Sequence, residues 1–520
     1  MALTALMVCY TLADAEVGRR MVHRLGKLLE RDYLTPHTKL WSFVWIGMFH
    51  AADDQPQRAI EFNKRSIDEA HVQSRGVASA FGKAHMARVL CQLGRVGEAD
   101  TCMAELATEA QRDLERLTLH LAQAFRHLLS GDFHSSLKSL EFAHTLSIGL
   151  ETHMQILEIL LARAAILTIE CRLDEACVAL ATASKTLATT PIRLFDALTQ
   201  LVQADISLAR GNKNAAFESL KSVLQHACNP LKAAFLCWSH ANLPHLLGLA
   251  FEQGIEVDSA RRLVRRFNVP ADSPSNELWP WPIKIWALGD LRIEIDGDAF
   301  LSKGKAQHKL LELLRVIIAL GAQHVAVDDI CEWLWPDADG DVAAGNLRTS
   351  LHRLRKLLKH DDAIIVHDNK VSLNDKLCWL DIRAFEHVTL ESNDDLVPVL
   401  LEKAVRLYRA HLFEKESHAW VLPLRDRLRM RFQRAALNLT KAWEMNGNAD
   451  KAEALYHQCL ERDGSAEMIY RQLMLNLKAR GRHAEALDVY RRCETALLNN
   501  LATKPSPETR LVFESLRDIQ

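Results

Sequence analysis

Apolar residues recur at three- and four-residue spacings through residues 1–268, the period of amphipathic helices. Short polar breaks interrupt the pattern at a period of about 40 residues, each followed by a helix that opens on small residues. The breaks are Asp53-Asp54-Gln55-Pro56 before Ala59, Gly94-Arg95 before Ala99, Gly131-Asp132 before Ser136, Arg172-Leu173-Asp174 before Ala176, and Gly211-Asn212 before Ala216. A glycine or polar turn ends one helix, small residues let the next pack closely against it, and each hairpin buries its remaining apolar face on its neighbour. The pattern predicts a tetratricopeptide-type α-solenoid over residues 1–268.

The helical period stops near Asn268, and residues 269–282 (VPADSPSNELWPWP) hold four prolines and two serines. Such a stretch cannot continue a helix, so it reads as a linker, with Trp279 and Trp281 packing onto a neighbouring domain. Beyond it the period becomes two: Ile283, Ile285 and Ala287, then Leu291, Ile293 and Ile295, with Asp296-Gly297 as a tight turn. A small antiparallel sheet is expected there. Helices follow at about Lys305–Leu320, with Leu310, Leu313, Leu314, Ile317 and Ile318 on one side, and at Asp328–Trp335, with Asp328 as its cap. A third runs from about Val342 to Leu358, capped by Asp341, and a hairpin over Ile364–Leu373 turns at Asp368-Asn369. From 379 to 520 the chain is helical again, with breaks at Gly447-Asn448 and Gly481-Arg482 and a last helix opening on Ser506-Pro507. The fold class is mainly α, in four parts: 1–268, 269–282, 283–378 and 379–520.

Charge changes the picture only locally. The chain of 520 residues carries a net charge of −2, which does not itself announce a nucleic-acid partner. The third helix does. Leu347, Leu351, Leu354 and Leu358 form one stripe that must face the core, and no acid occurs between Val342 and His360. Opposite the stripe lie Thr349, His352, Arg353 and Lys356, flanked by Arg348, Arg355 and Lys359, with His367 and Lys370 on the hairpin. Arg and Lys neutralise phosphates, and Arg, Thr and His can read base edges in a major groove. The hairpin tip would reach a minor groove or the phosphates. Helix, helix, loop, basic helix, hairpin is the winged helix-turn-helix order.

WALGDLRIEIDG (Trp286 to Gly297), VDDICEWLWPDADGD (Val327 to Asp341) and NLRTSLHRLRKLL (Asn346 to Leu358) resemble the OmpR/PhoB-type winged helix of SARP regulators. LDIRAFE (Leu380 to Glu386), AVRLYRAHLF (Ala404 to Phe413), ARGRHAEALDVYRRC (Ala479 to Cys493) and KPSPET (Lys504 to Thr509) resemble the bacterial transcriptional activation domain that accompanies it. The solenoid resembles that of large MalT-like regulators. The resemblance implies a bacterial, cytoplasmic transcription regulator, an activator, with double-stranded DNA, RNA polymerase or another transcription factor, and a second copy on DNA as partners. Two departures stand out: no GxxxxGK[ST] phosphate loop occurs, and Ala410-His411 stands where the family carries a glycine. A helical-repeat scaffold whose winged helix binds protein is the alternative.

Other classes lose ground on motifs. HExxH, CxxC and GxSxG are absent, so no catalytic residue, metal or cofactor is expected. The eleven cysteines are scattered, as in a reduced compartment. No apolar run reaches the roughly 20 residues of a membrane span. The opening residues carry no basic residue before the apolar stretch, and Asp14 and Glu16 follow, so a secretory signal is not expected.

Overall fold

Helices end where the sequence breaks fall. A computed structural model describes residues 14–30, 34–53, 55–72, 76–190, 192, 195–226, 242–267, 269–301, 305–391 and 398–517. It divides into two units, Met1–Asp272 and Ser273–Gln520. The first holds α1 (Ala15–Glu30), α2 (Pro36–Ala52), α3 (Pro56–Val72), α4 (Gly76–Gln92), α5 (Val96–Glu109), α6 (Asp113–Leu129) and α7 (Phe133–Gly149). After these come α8 (His153–Ile169), α9 (Leu173–Thr189), α10 (Asp196–Ala209), α11 (Lys213–His226), α12 (Leu243–Gln253) and α13 (Val257–Phe267). From α2 to α11 the helices pair as hairpins whose first members begin at residues 36, 76, 113, 153 and 196, the spacing expected.

The small residues are where hairpin packing needs them: Ala59, Ala99 and Ala176 are fully buried, as are Ser136 and Ala216. Leu117, Leu121, Leu128, Leu140, Ile159 and Ile166 join α6, α7 and α8 in one core. Gly94, Gly131 and Gly211 close their helices with φ of 73°, 75° and 78°. The Gly94 N–H donates to the Cys91 carbonyl at 3.0 Å and the Arg95 N–H to Leu90 at 2.9 Å, so the last carbonyls stay satisfied. Cys171 adopts the same left-handed conformation with φ 60°, although it carries a side chain. Asp53, expected only as a turn former, is an ion-pair acceptor. Its buried carboxylate receives Arg19 Nε at 2.9 Å and Nη2 at 2.6 Å, while Arg266 of α13 stands 3.9 Å away.

Unit 2 opens by folding the expected linker onto itself. Trp279 and Trp281 are buried, the Trp281 indole donates to the Asn276 carbonyl at 2.8 Å, and Trp286 Nε1 donates to Glu277 at 3.0 Å. There follow β1 (Ile283–Trp286), β2 (Arg292–Ile295), β3 (Asp298–Ala299), α14 (Lys305–Ala319), β4 (Val325–Ala326), α15 (Val327–Leu334) and α16 (Gly340–Leu357). Next are β5 (Ile364–His367), β6 (Lys370–Leu373), β7 (Cys378–Leu380), α17 (Asp381–Glu391), α18 (Pro398–Leu407), α19 (Leu422–Met445) and α20 (Ala449–Arg462). The chain closes with α21 (Glu467–Ala479), α22 (His483–Leu501) and α23 (Pro507–Arg517).

One sheet has the order β3-β2-β1-β7 and the other β4-β6-β5. Antiparallel pairing was expected throughout, but β7 pairs with β1 in parallel, Ile283 beside Cys378 and Ile285 beside Leu380. β7 also runs across the expected boundary at 378/379. Directly after it, the buried Asp381 carboxylate accepts the Ala287 and Leu288 N–H groups at 2.9 Å. Burial outweighs these donors and nearby Arg409, pushing this carboxyl up to about 7.

In the C-terminal helices Gly447 and Gly481 close their turns with φ of 74° and 72°, and Ala452 and Ala486 are fully buried. Ser506 Oγ accepts the Thr509 N–H at 3.4 Å, the cap expected for the last helix. Ala410 and His411 need no glycine. The left-handed residue of that loop is Phe413 with φ 44°, and Arg425 holds the carbonyls of Leu412, Phe413 and Glu416. Of the described cysteines, Cys91, Cys102, Cys331, Cys378, Cys459 and Cys493 are buried free thiols, and Cys171 is exposed. Cys9, Cys228 and Cys237 lie outside the described residues.

Two outcomes follow. Cys171→Gly removes the strain of a left-handed side-chain-bearing residue and stabilises the first unit by about 1 kcal/mol, read as a raised denaturant midpoint; an unchanged or lowered midpoint would contradict this. For Asp381, whose folded pKa lies above its unfolded value, the contribution to stability is full below about pH 4 and is lost as pH rises to about 7. The unfolding free energy of wild type relative to Asp381→Asn should thus fall by up to about 1.4 kcal/mol per pH unit across that window and flatten above it. A pH-independent difference in urea titrations would rule out the raised pKa.

Candidate nucleic-acid interface

The leucine stripe orients α16. Leu347, Leu351, Leu354 and Leu358 are all buried, with Ala343 one turn earlier. They pack against α14 and α15, where Leu313, Leu314, Ile317 and Ile330 supply the facing core. On α14 the buried register takes in Leu311, whereas Leu310 is only partly covered, one position off the expected face. The caps differ too. α15 starts after Ala326 and α16 after Asp339, neither with a side-chain cap bond. Asp328 and Asp341 lie one or two residues inside their helices, in the first turns, where a carboxylate meets the helix dipole instead of capping N–H groups.

With the stripe inward, Arg348, Thr349, His352, Arg353, Lys356 and Lys359 are exposed. Among the described residues no ion pair or hydrogen bond engages the side chains of Arg348, Arg353, Lys356, Lys359 or Lys370. Many arginines elsewhere are paired: Arg429 meets Asp463 at 2.6 Å, and Arg480 and Arg482 share Glu453. Thr349 Oγ1 donates back to the Gly345 carbonyl at 3.1 Å, leaving its lone pairs and methyl outward.

Arg355 is different. It is half-buried, and its Nε donates to the Ile364 carbonyl at 2.9 Å, tying the last turn of α16 to the first strand of the hairpin. That hairpin turns at Asp368-Asn369, φ 48° and 56°, and pairs His367 with Lys370, a two-residue turn whose twist suits the strands. His367 and Lys370 are exposed beside it, His367 Nδ1 lying 3.1 Å from Asp368. The Val327 N–H donates to the Asn369 carbonyl at 3.0 Å, and β4 pairs with β6, so the wing is also anchored to the start of α15.

Sequence reasoning keyed on charge passed over two residues of the same face. At 3.6 residues per turn, Val342 and Asn346 lie beside Thr349 and Arg353, and both are exposed. Their position relative to the leucine stripe was the available signal. No cluster that could hold a metal ion occurs among the described residues, and none of their helices is long and apolar enough to cross a membrane.

Residues 381–517, starting at the aspartate that anchors β1, match the family described as bacterial transcriptional activator domain. The C-terminal helices are thus similar to a domain that bacterial transcriptional activators carry. No curated protein sequence matches the chain. Among solved structures it is similar to Mycobacterium tuberculosis EmbR in complex with a low affinity phosphopeptide, at 22% identity over 46% of this chain and 66% of that one, TM-score 0.37. It is similar also to the human IFIT1 dimer with m7Gppp-AAAA, at 13% identity over 94% and 88% of the two chains, TM-score 0.29.

Arg355→Ala, by removing a charged donor from the Ile364 carbonyl, should destabilise the wing locally by about 1–2 kcal/mol and speed hydrogen exchange across Ile364–Leu373. Unchanged exchange there, with α16 intact, would show that the bond does not anchor the wing.

Proposed function

We propose that the regulator binds double-stranded promoter DNA through α16 and the β5–β6 wing. The observation that carries this reading is the outward face of α16, free of acids beyond Asp341 in its first turn, whose exposed cations have no partners among the described residues. Such a face has no structural use for its charge and suits the phosphates on either side of a major groove. In this reading Thr349, His352, Arg353 and Lys356 enter the groove, with Val342 and Asn346 beside them. Arg can read guanine with two bonds, Asn adenine, and Val or Thr a thymine methyl. Arg348, Lys359 and the free terminal nitrogens of Arg355 take flanking phosphates, and His367 and Lys370 meet the adjacent minor groove or backbone.

The remaining parts take their roles from this one. The activator domain contacts RNA polymerase or another transcription factor and makes the regulator an activator in the bacterial cytoplasm, with copies set side by side on DNA. The helical repeats of the first unit receive the signal. One observation favours a second reading, the wing as a protein-binding module: Ile365 and Val366 are 45% and 46% exposed on β5, an edge strand.

Fluorescence anisotropy with DNA from upstream of the regulator's own gene separates the two. Arg353→Ala and Lys356→Ala should each weaken binding about tenfold, and a lost phosphate contact should lower the slope of log K against log salt by about 1. Unaltered DNA binding in both variants would sink the groove-facing assignment and favour the protein-binding module.

A further inference from the structure

α1 and α13 are the first and last described helices of the first unit, yet one carboxylate reaches both. Asp53, at the end of α2, accepts two nitrogens of Arg19 on α1, and Arg266 of α13 lies 3.9 Å from the same group. Around that point α1 carries four cations, Arg19, Arg20, Arg24 and Lys27, and α13 carries four arginines between Arg261 and Arg266. The acids of the two helices are Glu16, Glu30 and Asp258. Even with Asp53 counted, cations outnumber acids two to one here, in a chain whose net charge is −2.

Much of this charge has no use inside the fold. Arg20, Arg24 and Lys27 form one exposed row on α1, and none engages a partner among the described residues; the same holds for Arg265 on α13. Lys27 lies in the last turn of its helix, where a cation meets the dipole favourably. Arg20 and Arg24 lie further back, where like charges four residues apart repel each other. The row rises by about 10 Å at 1.5 Å per residue, which matches the axial length of about three nucleotides of one DNA strand. No large apolar side chain described on either helix is exposed. A protein partner would need apolar or aromatic anchors at the centre of its contact, and a membrane surface would need apolar side chains to enter it. A phosphate backbone needs only the cations.

We propose that α1 and α13 form a second phosphate-binding surface, on the helical repeats themselves, that takes the backbone of duplex DNA without reading its sequence. Arg20, Arg24 and Lys27 lie along one strand, and Arg265 adds a contact from the neighbouring helix. Asp53 serves as the clasp of the surface: by holding Arg19 and standing beside Arg266 it keeps the two basic helices together. Backbone contacts of this kind add affinity and none of the specificity. The repeats thus bind DNA as well as receiving a signal. This surface does not rest on DNA binding by α16, and the experiment separates the two.

The test uses the full chain carrying Arg353→Ala and Lys356→Ala, which weakens α16, and a fluorescein-labelled duplex of random sequence. Anisotropy should show salt-sensitive binding with half-saturation of about 1–100 μM at physiological salt. Adding Arg20→Gln, Arg24→Gln and Lys27→Gln together should weaken it at least about tenfold and lower the slope of log K against log salt by about 2–3. Arg265→Gln alone should lower the slope by about 1, and it decides the matter should the triple change cost helical circular dichroism. Arg20→Lys with Arg24→Lys should leave the slope unchanged, because each phosphate still meets one positive charge. Binding and slope untouched by the glutamine changes would overturn the proposal, as would tighter binding to phosphatidylserine vesicles than to the duplex, which would assign the row to a lipid surface. In the otherwise wild-type chain, loss of binding through the α1 changes and none through Arg353→Ala and Lys356→Ala would uphold this surface and sink the groove-facing role of α16; the opposite pattern would do the reverse.

Discussion

The second unit depends on the bond between Asp381 and the end of β1. The Ala287 and Leu288 N–H groups lie where the short sheet runs out, and a buried donor left unmatched costs as much as a lost hydrogen bond. The carboxylate that answers them sits on the first residue of α17. A residue 94 positions along the chain from Ala287 therefore places the C-terminal helices against the sheet that opens the second unit. Parallel pairing of β7 with β1 follows from the same closure, since the chain must return beside its starting strand before entering α17. Trp286 and Trp379 meet edge to face at 5.6 Å across this seam, and Arg292 stacks on Trp286 at 4.2 Å. Movement of one part against the other would break the sheet, the carboxylate bonds and the aromatic contact together.

Charge is distributed by use. In the activator helices, arginines hold turns together: Arg425 binds three loop carbonyls, and Arg429 with Gln433 satisfies the buried Asp463. These cations are committed to the fold and cannot also recruit phosphate. On α16 the cations are uncommitted among the described residues, and Arg355, the exception, sits at the edge of the face and ties the wing to the helix. A near-neutral chain can in this way present a local positive field without an overall basic composition.

Much of this was legible in the sequence because helical periodicity and side-chain size are local properties. The hairpin period, the small buried residues after each break and the leucine stripe each need only a few residues on either side to be read. The parallel strand was not legible, because β7 is three residues long and its partner lies some 95 residues upstream. Nor was the role of Asp381, whose tertiary partners give no local signal. Capping failed at Asp328 and Asp341 because a cap depends on a shift of one or two residues in the helix start, and periodicity does not resolve the start that finely. Cys171 escaped notice because sequence rules assign its left-handed position to glycine. On the exposed face, selection by charge found the cations and passed over Val342 and Asn346, which only the orientation of the helix identifies.

The stripe on α16 also bears on how such a helix can change over generations. Leu347, Leu351, Leu354 and Leu358 carry the packing, whereas Val342, Asn346, Thr349, His352, Arg353 and Lys356 bury nothing in the core. Exchange at exposed positions typically shifts stability by no more than about 0.5 kcal/mol. Stability and outward chemistry are thus inherited on separate sets of positions of a single helix. Duplicated copies of the gene could explore new outward faces by single substitutions, each tested for its binding consequences with folding held nearly constant.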